Sequence, residues 1–307
     1  MTPIDTPIDY YGYPYYDPYY YHLIASPNAC GIIADYSVTF RIKISQKVGR
    51  IFRNGGNMAK TESGISTQGL PEVVHQVMSN FIDAAKNALG NDLRSVVLYG
   101  SGAEGKLRST SDVNLILILL TLDQKKLDQL REPFRVARAA IRLTTMFLLE
   151  SEIKPAVESF SVKFVDILHR HKVLFGTNVF SNLVIPREVT IARLKQVLLN
   201  LSLRLREQYM LRSLREEQLV MVIADATGPL RACAATILEL KEKITKPPKE
   251  ALQDIVHSFS ESQWEDTLTR LSQARGTRML PPGIAGPTLF KLIELADRLR
   301  SQVENLS

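Results

Sequence analysis

Asp112 and Asn114 stand two residues apart at the head of an apolar run, and Gly100-Ser101 closes an earlier one, SVVLY, with ten residues between. Positions i and i+2 of a strand share a face, so the carboxylate and the carboxamide would reach one place. Both offer oxygen ligands that suit a hard divalent cation, magnesium or manganese. A glycine lets the backbone approach a polyanion closely. Ser101 adds a hydroxyl and, at the start of a turn or short helix, a backbone N–H for phosphate oxygens. Lys106 and Arg108 lie in the same loop; they either add positive charge there or face solvent. The chemistry is that of gripping phosphate groups, with a cation held by Asp112 and, more weakly, by Asn114.

The surrounding elements must bring these groups together. Residues 71–90 place Val73, Val74, Val77, Met78, Phe81, Ile82 and Ala85 at spacings of three and four, which predicts an amphipathic helix ended by Gly90 and Asn91. Ser95–Tyr99 predicts a buried strand, broken at Gly100. Val113–Leu120 predicts a second strand, apolar on both sides beyond Asn114, so both its faces should be covered. Residues 123–150 read mostly as helix, with Pro133 expected to kink or divide it. PAVESF at 155–160 reads as a third strand, and 161–171 as helix followed by VLFG. Beyond Pro186 the pattern is helical alone. Ile191, Leu194, Leu198, Leu201 and Leu205 repeat at three and four, and further helices are expected over 214–245, 248–275 and 286–306. Breaks fall at Pro247-Pro248 and Pro281-Pro282-Gly283.

The segment LYGSGAEGKLRSTSDVNLILI, residues 98–118, resembles the nucleotidyltransferase superfamily that includes DNA polymerase beta and kanamycin nucleotidyltransferase. Its motif is an apolar residue, Gly-Ser, about ten residues, and then Asp-x-Asp between apolar positions. Tyr99-Gly100-Ser101 and Asp112-Val113-Asn114 occupy it, and the likeness covers roughly residues 95 to 176. It implies an α+β fold: a small mixed β-sheet domain flanked by helices, followed here by an all-helical C-terminal domain. It implies a nucleoside triphosphate carried with Mg²⁺ or Mn²⁺, and transfer of a nucleoside monophosphate to an acceptor, whether protein, small molecule or RNA end. In the superfamily a third carboxylate sits on a later strand. Asp166 is preferred for it, with Glu158 as the other choice.

The departure from the motif is Asn114. An amide keeps the shape of aspartate and loses its charge. One unit charge at contact distance in a partly dry site is worth about several kcal/mol. Two cations held by so few carboxylates would repel each other. A single cation arriving on the triphosphate would still fit. The expectations are therefore slow transfer, nucleotide binding without turnover, or an inactive module serving as a regulatory or protein-interaction surface.

Composition sets the remaining bounds. The 307 residues can form two domains; the apolar share of 45% and the net charge of +6 suit a globular protein with an anionic ligand. Cys30 and Cys233 lack metal-ligand spacing and fit free thiols in a cytoplasmic protein. No uninterrupted apolar run nears membrane-spanning length, and no secretory signal is visible. Self-association stays open. Eight of the eleven tyrosines fall in residues 10–21, which reads as a disordered tail or as an aromatic arm for a partner. Asn54-Gly55-Gly56-Asn57 precedes Met58, and two glycine codons can spell a ribosome-binding site. Translation is therefore expected to start at Met58, which divides the chain into 1–57, a site-bearing domain 58–186 and a helical bundle 187–307. His169-Arg170-His171-Lys172 reads as a surface cluster rather than a metal pair. The basic stretch 187–217, with Arg193, Arg204, Arg206 and Arg212, reads as a solvated face or a nucleic-acid groove. No Arg-x4–6-His pattern of a ribonuclease bundle is present, and Trp264 is expected in a core.

Overall fold

Two apolar runs dictate the centre of the molecule. In the computed structural model, which describes residues 69–259 and 263–306, they form β1 (Leu93–Tyr99) and β2 (Val113–Leu119), paired antiparallel with Tyr99 opposite Asn114. The tyrosine-rich segment, Met58 and the expected start site lie outside the described residues. The described residues belong to one compact unit, Gly64–Ser307.

Helix α1 (Glu72–Leu89) precedes β1, as its spacing predicts. Helix α2 (Gln124–Ile141) follows β2; the Asp123 side chain caps it by accepting from the Lys126 N–H at 2.9 Å. Pro133 lies inside α2 without dividing it. The expected helix over 123–150 is nevertheless corrected. It stops at Arg142, which adopts a left-handed conformation (φ 54°, ψ 39°), and β3 (Leu143–Leu149) begins at once. β3 runs parallel to β2 with Thr144 opposite Asn114.

A second correction concerns residues 155–160. The segment read as a strand lies largely in helix α3 (Ile153–Ser159), where Pro155 sits in the first turn and costs no helical hydrogen bond. Helix α4 (Ser161–His169) and β4 (His171–Gly176) complete this part. The sheet order is β3-β2-β1-β4.

Both faces of β2 are covered, as its double-sided apolarity requires. Leu115, Leu117 and Leu119 join a core with Phe81, Ile82 and Leu130 of α1 and α2. Ile116 and Ile118 join another with Ile153, Phe164 and Ile167 of α3 and α4. Asn114 falls on this second register.

Beyond Pro186 come α5 (Arg187–Arg212), α6 (Glu216–Glu242), α7 (Pro248–His257), α8 (Gln263–Thr277) and α9 (Ala285–Glu304). All five predicted α5 positions, from Ile191 to Leu205, are buried, and Trp264 is in the same core. Val162 of α4 also belongs to it, so bundle and sheet share packing. α6 is long and apolar enough by composition to cross a bilayer, but 72% of its most apolar window is buried in the bundle.

Candidate active site

Gly100 has φ +72°, a conformation that L side chains rarely adopt. It opens a single three-residue 3₁₀ turn rather than a helix, Gly100–Gly102. The Gly100 N–H donates to the Arg170 carbonyl at 2.8 Å, which ties the bend to the end of α4. Among the described residues no backbone acceptor takes the Ser101 N–H. A Cβ added at Gly100 would lie 3.9 Å from Asn114 Nδ2, so the bend and the second strand meet at this point.

Asn114 Nδ2 donates to the Asp112 carbonyl at 3.3 Å, and Thr144 Oγ1 donates to Asn114 Oδ1 at 2.6 Å. The amide is thus held from both ends, and its carbonyl oxygen already accepts a hydrogen bond. Asp112 Oδ1 accepts from Arg142 Nε at 2.7 Å. Arg142 reaches Asp112 because the left-handed turn places it at the foot of β3, beside the start of β2.

The other expected site residues are spread out. Both Asp166 oxygens accept from Arg170, at 2.5 and 2.6 Å, and Arg170 also donates to Glu104 at 2.9 Å. Asp166 therefore braces the turn that carries the Gly100 bend. Glu158 is exposed on α3. The strand beside β2 carries no carboxylate; the residue facing Asn114 there is Thr144. Lys106 is exposed and pairs with Glu104 at 3.6 Å. Arg108 is exposed, and its charge is felt by Arg231 and Arg275. The two histidines diverge: His169 Nε2 lies 2.9 Å from Glu239 of α6, and His171 Nδ1 donates to the Ile167 carbonyl at 2.9 Å.

These donors do not fit two resident metal ions. Asp112 is already in an ion pair, Asn114 is neutral, and among the described residues no group of three His, Cys, Asp or Glu side chains converges. The arrangement offers instead a glycine bend, a serine N–H and, within reach of the Asp112 charge, a group of arginines that no periodicity announced. The loop carrying Arg108 is pinned to α8 where Thr110 Oγ1 donates to the Arg275 carbonyl at 2.8 Å. Arg275 lies against Gly228 of α6, where an added Cβ would collide with its Nη1. Arg231 of α6 is 6% exposed and donates from Nη2 to Ser272 Oγ at 2.8 Å. Burial, then Arg275 and Arg108, lowers the Arg231 pKa to about 10.

No family model matches the chain. Over 58 residues it is 31% identical to a protein of Methanocaldococcus jannaschii named as a candidate protein adenylyltransferase. That match covers 19% of the chain and 40% of the relative, so the chain spans less than half of that protein's length. Among solved structures, spectinomycin adenyltransferase AAD(9) from Enterococcus faecialis, solved with ATP and spectinomycin, aligns with TM-score 0.53. The alignment covers 75% of the chain and 99% of that structure at 12% identity. The chain has a nucleotidyltransferase fold. Together the two likenesses support a relationship to the nucleotidyltransferase superfamily.

Proposed function

We propose that the chain binds a nucleoside triphosphate at the Gly100–Ser101 bend and passes its nucleoside monophosphate to an acceptor. In that reaction an acceptor oxygen attacks the α-phosphorus, the bond to the β-phosphate breaks, and pyrophosphate leaves. The observation that carries the reading is the bare backbone of the positive-φ Gly100, where an added Cβ would lie 3.9 Å from the Asn114 amide beside Asp112. A backbone free of a side chain there leaves room for a triphosphate against the strand pair. The acceptor belongs to the class of hydroxyl compounds: a protein side chain, a small alcohol or an RNA end. The buried Cys233 and the paucity of cysteines fit work in a reducing, cytoplasmic setting.

A second reading, binding without transfer, is favoured by one specific observation. Arg142 occupies Asp112, and Thr144 stands where a further carboxylate would face Asn114. Two-metal catalysis needs carboxylates that bridge cations roughly 3.5–4 Å apart, and this corner supplies one.

Calorimetry with ATP, CTP, GTP and UTP, with and without magnesium, tests the shared part of both readings. Binding of at least one triphosphate, weakened by Gly100→Ala, is the expected result. Absence of binding by all four removes both. Release of pyrophosphate in the presence of candidate acceptors then separates transfer from binding alone.

A further inference from the structure

The arginines beside the site outnumber the acids available to them. Asp112 is taken by Arg142, and Asp225 of α6 accepts from Arg278 at 2.5 Å. Arg108, Arg231 and Arg275 form no contact ion pair among the described residues, although the charges of Asp225 and Asp112 reach Arg275. The two charges that act on Arg231 are both cationic, Arg275 and Arg108. The Arg231 side chain is buried, and its Nε has no hydrogen-bond partner. A buried, unsatisfied guanidinium donor is costly, and an unpaired buried charge more so. Guanidiniums stay protonated near neutral pH even when lowered this far. The fold therefore holds a buried unsatisfied donor and an excess of positive charge where the loop before Asp112 meets α6 and α8.

We infer that Arg108, Arg231 and Arg275 form a polyphosphate site that takes the β- and γ-phosphates of the nucleotide without a divalent cation. The inference rests on the nucleotide reading above and goes beyond it by assigning the charge balance to the helical half. Planar guanidiniums make paired, charge-assisted hydrogen bonds to phosphate oxygens; Arg108 presents its guanidinium at the surface, and the buried Arg231 adds its positive charge from the interior. Thr110 sets the distance, because its bond to the Arg275 carbonyl fixes the Arg108 loop against α8. Asp112 sits at the end of the same loop, and its negative charge is among those acting on Arg275. The α-phosphate would then lie toward Gly100–Ser101 and the terminal phosphates toward the bundle. The weakness of Asp112 and Asn114 as cation ligands follows: the charge that metal ions would carry is supplied by side chains.

The test uses the full chain in EDTA with sodium tripolyphosphate and with ATP, followed by calorimetry and thermal melting. Tripolyphosphate is expected to bind without metal, to raise Tm, and to weaken steeply as salt rises. Arg108→Gln and Arg275→Met are each expected to weaken it by about tenfold to a hundredfold. Arg231→Met is expected to melt higher than the parent without ligand, because an unpaired buried charge is gone, and to lose the tripolyphosphate-induced rise. Failure of the parent to bind tripolyphosphate in EDTA, or equal binding by the variants, overturns the inference. ATP binding that needs magnesium and ignores all three substitutions would sink the arginine site and leave the nucleotide reading standing. Tripolyphosphate binding with ATP unaffected by Gly100→Ala would do the reverse.

Discussion

Asn114 is the residue on which the proposed chemistry turns, and its neighbours hold its amide from both ends. Thr144 donates to its carbonyl and its own amide donates to the Asp112 backbone, so both ends are satisfied at the rim of a buried sheet. Asn114→Asp would keep the Thr144 bond, lose the bond to the Asp112 carbonyl, and set a second carboxylate beside the first. Because Arg142 already offsets Asp112, the added charge is expected to go into cation binding. Magnesium-dependent affinity for triphosphate should rise by about tenfold or more. Calorimetry with and without magnesium reads this directly, and an unchanged affinity would mean that the pair does not line a cation site. Gly100 makes a different prediction. Its added Cβ would meet only an ordinary contact, so Gly100→Ala pays for backbone conformation alone, about 1–2 kcal/mol in denaturant unfolding. A larger loss would show that the bend is packed more tightly than its surroundings indicate.

At the scale of elements, β1, β2 and the bend between them were legible because apolar runs stop abruptly at Gly100 and start again at Asp112. β3 was not. LTTMFLL continues the apolar spacing of α2, and the helix ends on Arg142, a residue with no breaker signature, in place of the glycine that usually marks such a stop. PAVESF misled for the opposite reason: a proline reads as a boundary, yet in a first helical turn it is harmless. Without β3 the sequence pattern gives Thr144 no place and leaves Asp166 and Glu158 as the candidates for a third acid. The arginine group was invisible for want of local pattern, since positions 108, 231 and 275 come from a loop and two distant helices. One contact between α4 and α6 carries its own test. The hydrogen bond to Glu239 raises the His169 pKa above its ordinary 6.5, against the opposing effect of partial burial. A raised folded value means that the pair stabilises fully below the unfolded pKa and that this support is lost as pH climbs through the folded one. Tm should therefore fall between pH 6 and pH 8 by more in the parent than in Glu239→Gln. Equal slopes would show that the pair carries no stability.

Across the whole molecule, sheet and bundle are joined by shared core and by polar ties. Val162 reaches into the bundle core, His169 meets Glu239, and Thr110 holds Arg275. We place the domain boundary at Pro186, yet these links predict one unfolding transition for both sides. Trp264, the only tryptophan, reports on the bundle, and amide exchange in β2 reports on the sheet. Both should be lost at the same denaturant concentration. Leu198→Ala in α5, a fully buried position, should lower that midpoint by the equivalent of about 2–5 kcal/mol and move both probes together. Separated midpoints would mean that the sheet stands without the helices.

Gly228 lies in the middle of α6, where a glycine weakens a helix by about 1 kcal/mol relative to alanine. The helix tolerates this because the Arg275 side chain fills the notch. Gly228→Ala should therefore push the Arg275 guanidinium out of the notch and yield a protein that grips tripolyphosphate less well. In homologous sequences, positions 228 and 275 should change as a pair: where a methyl group fills the notch, a shorter or uncharged side chain should replace the guanidinium.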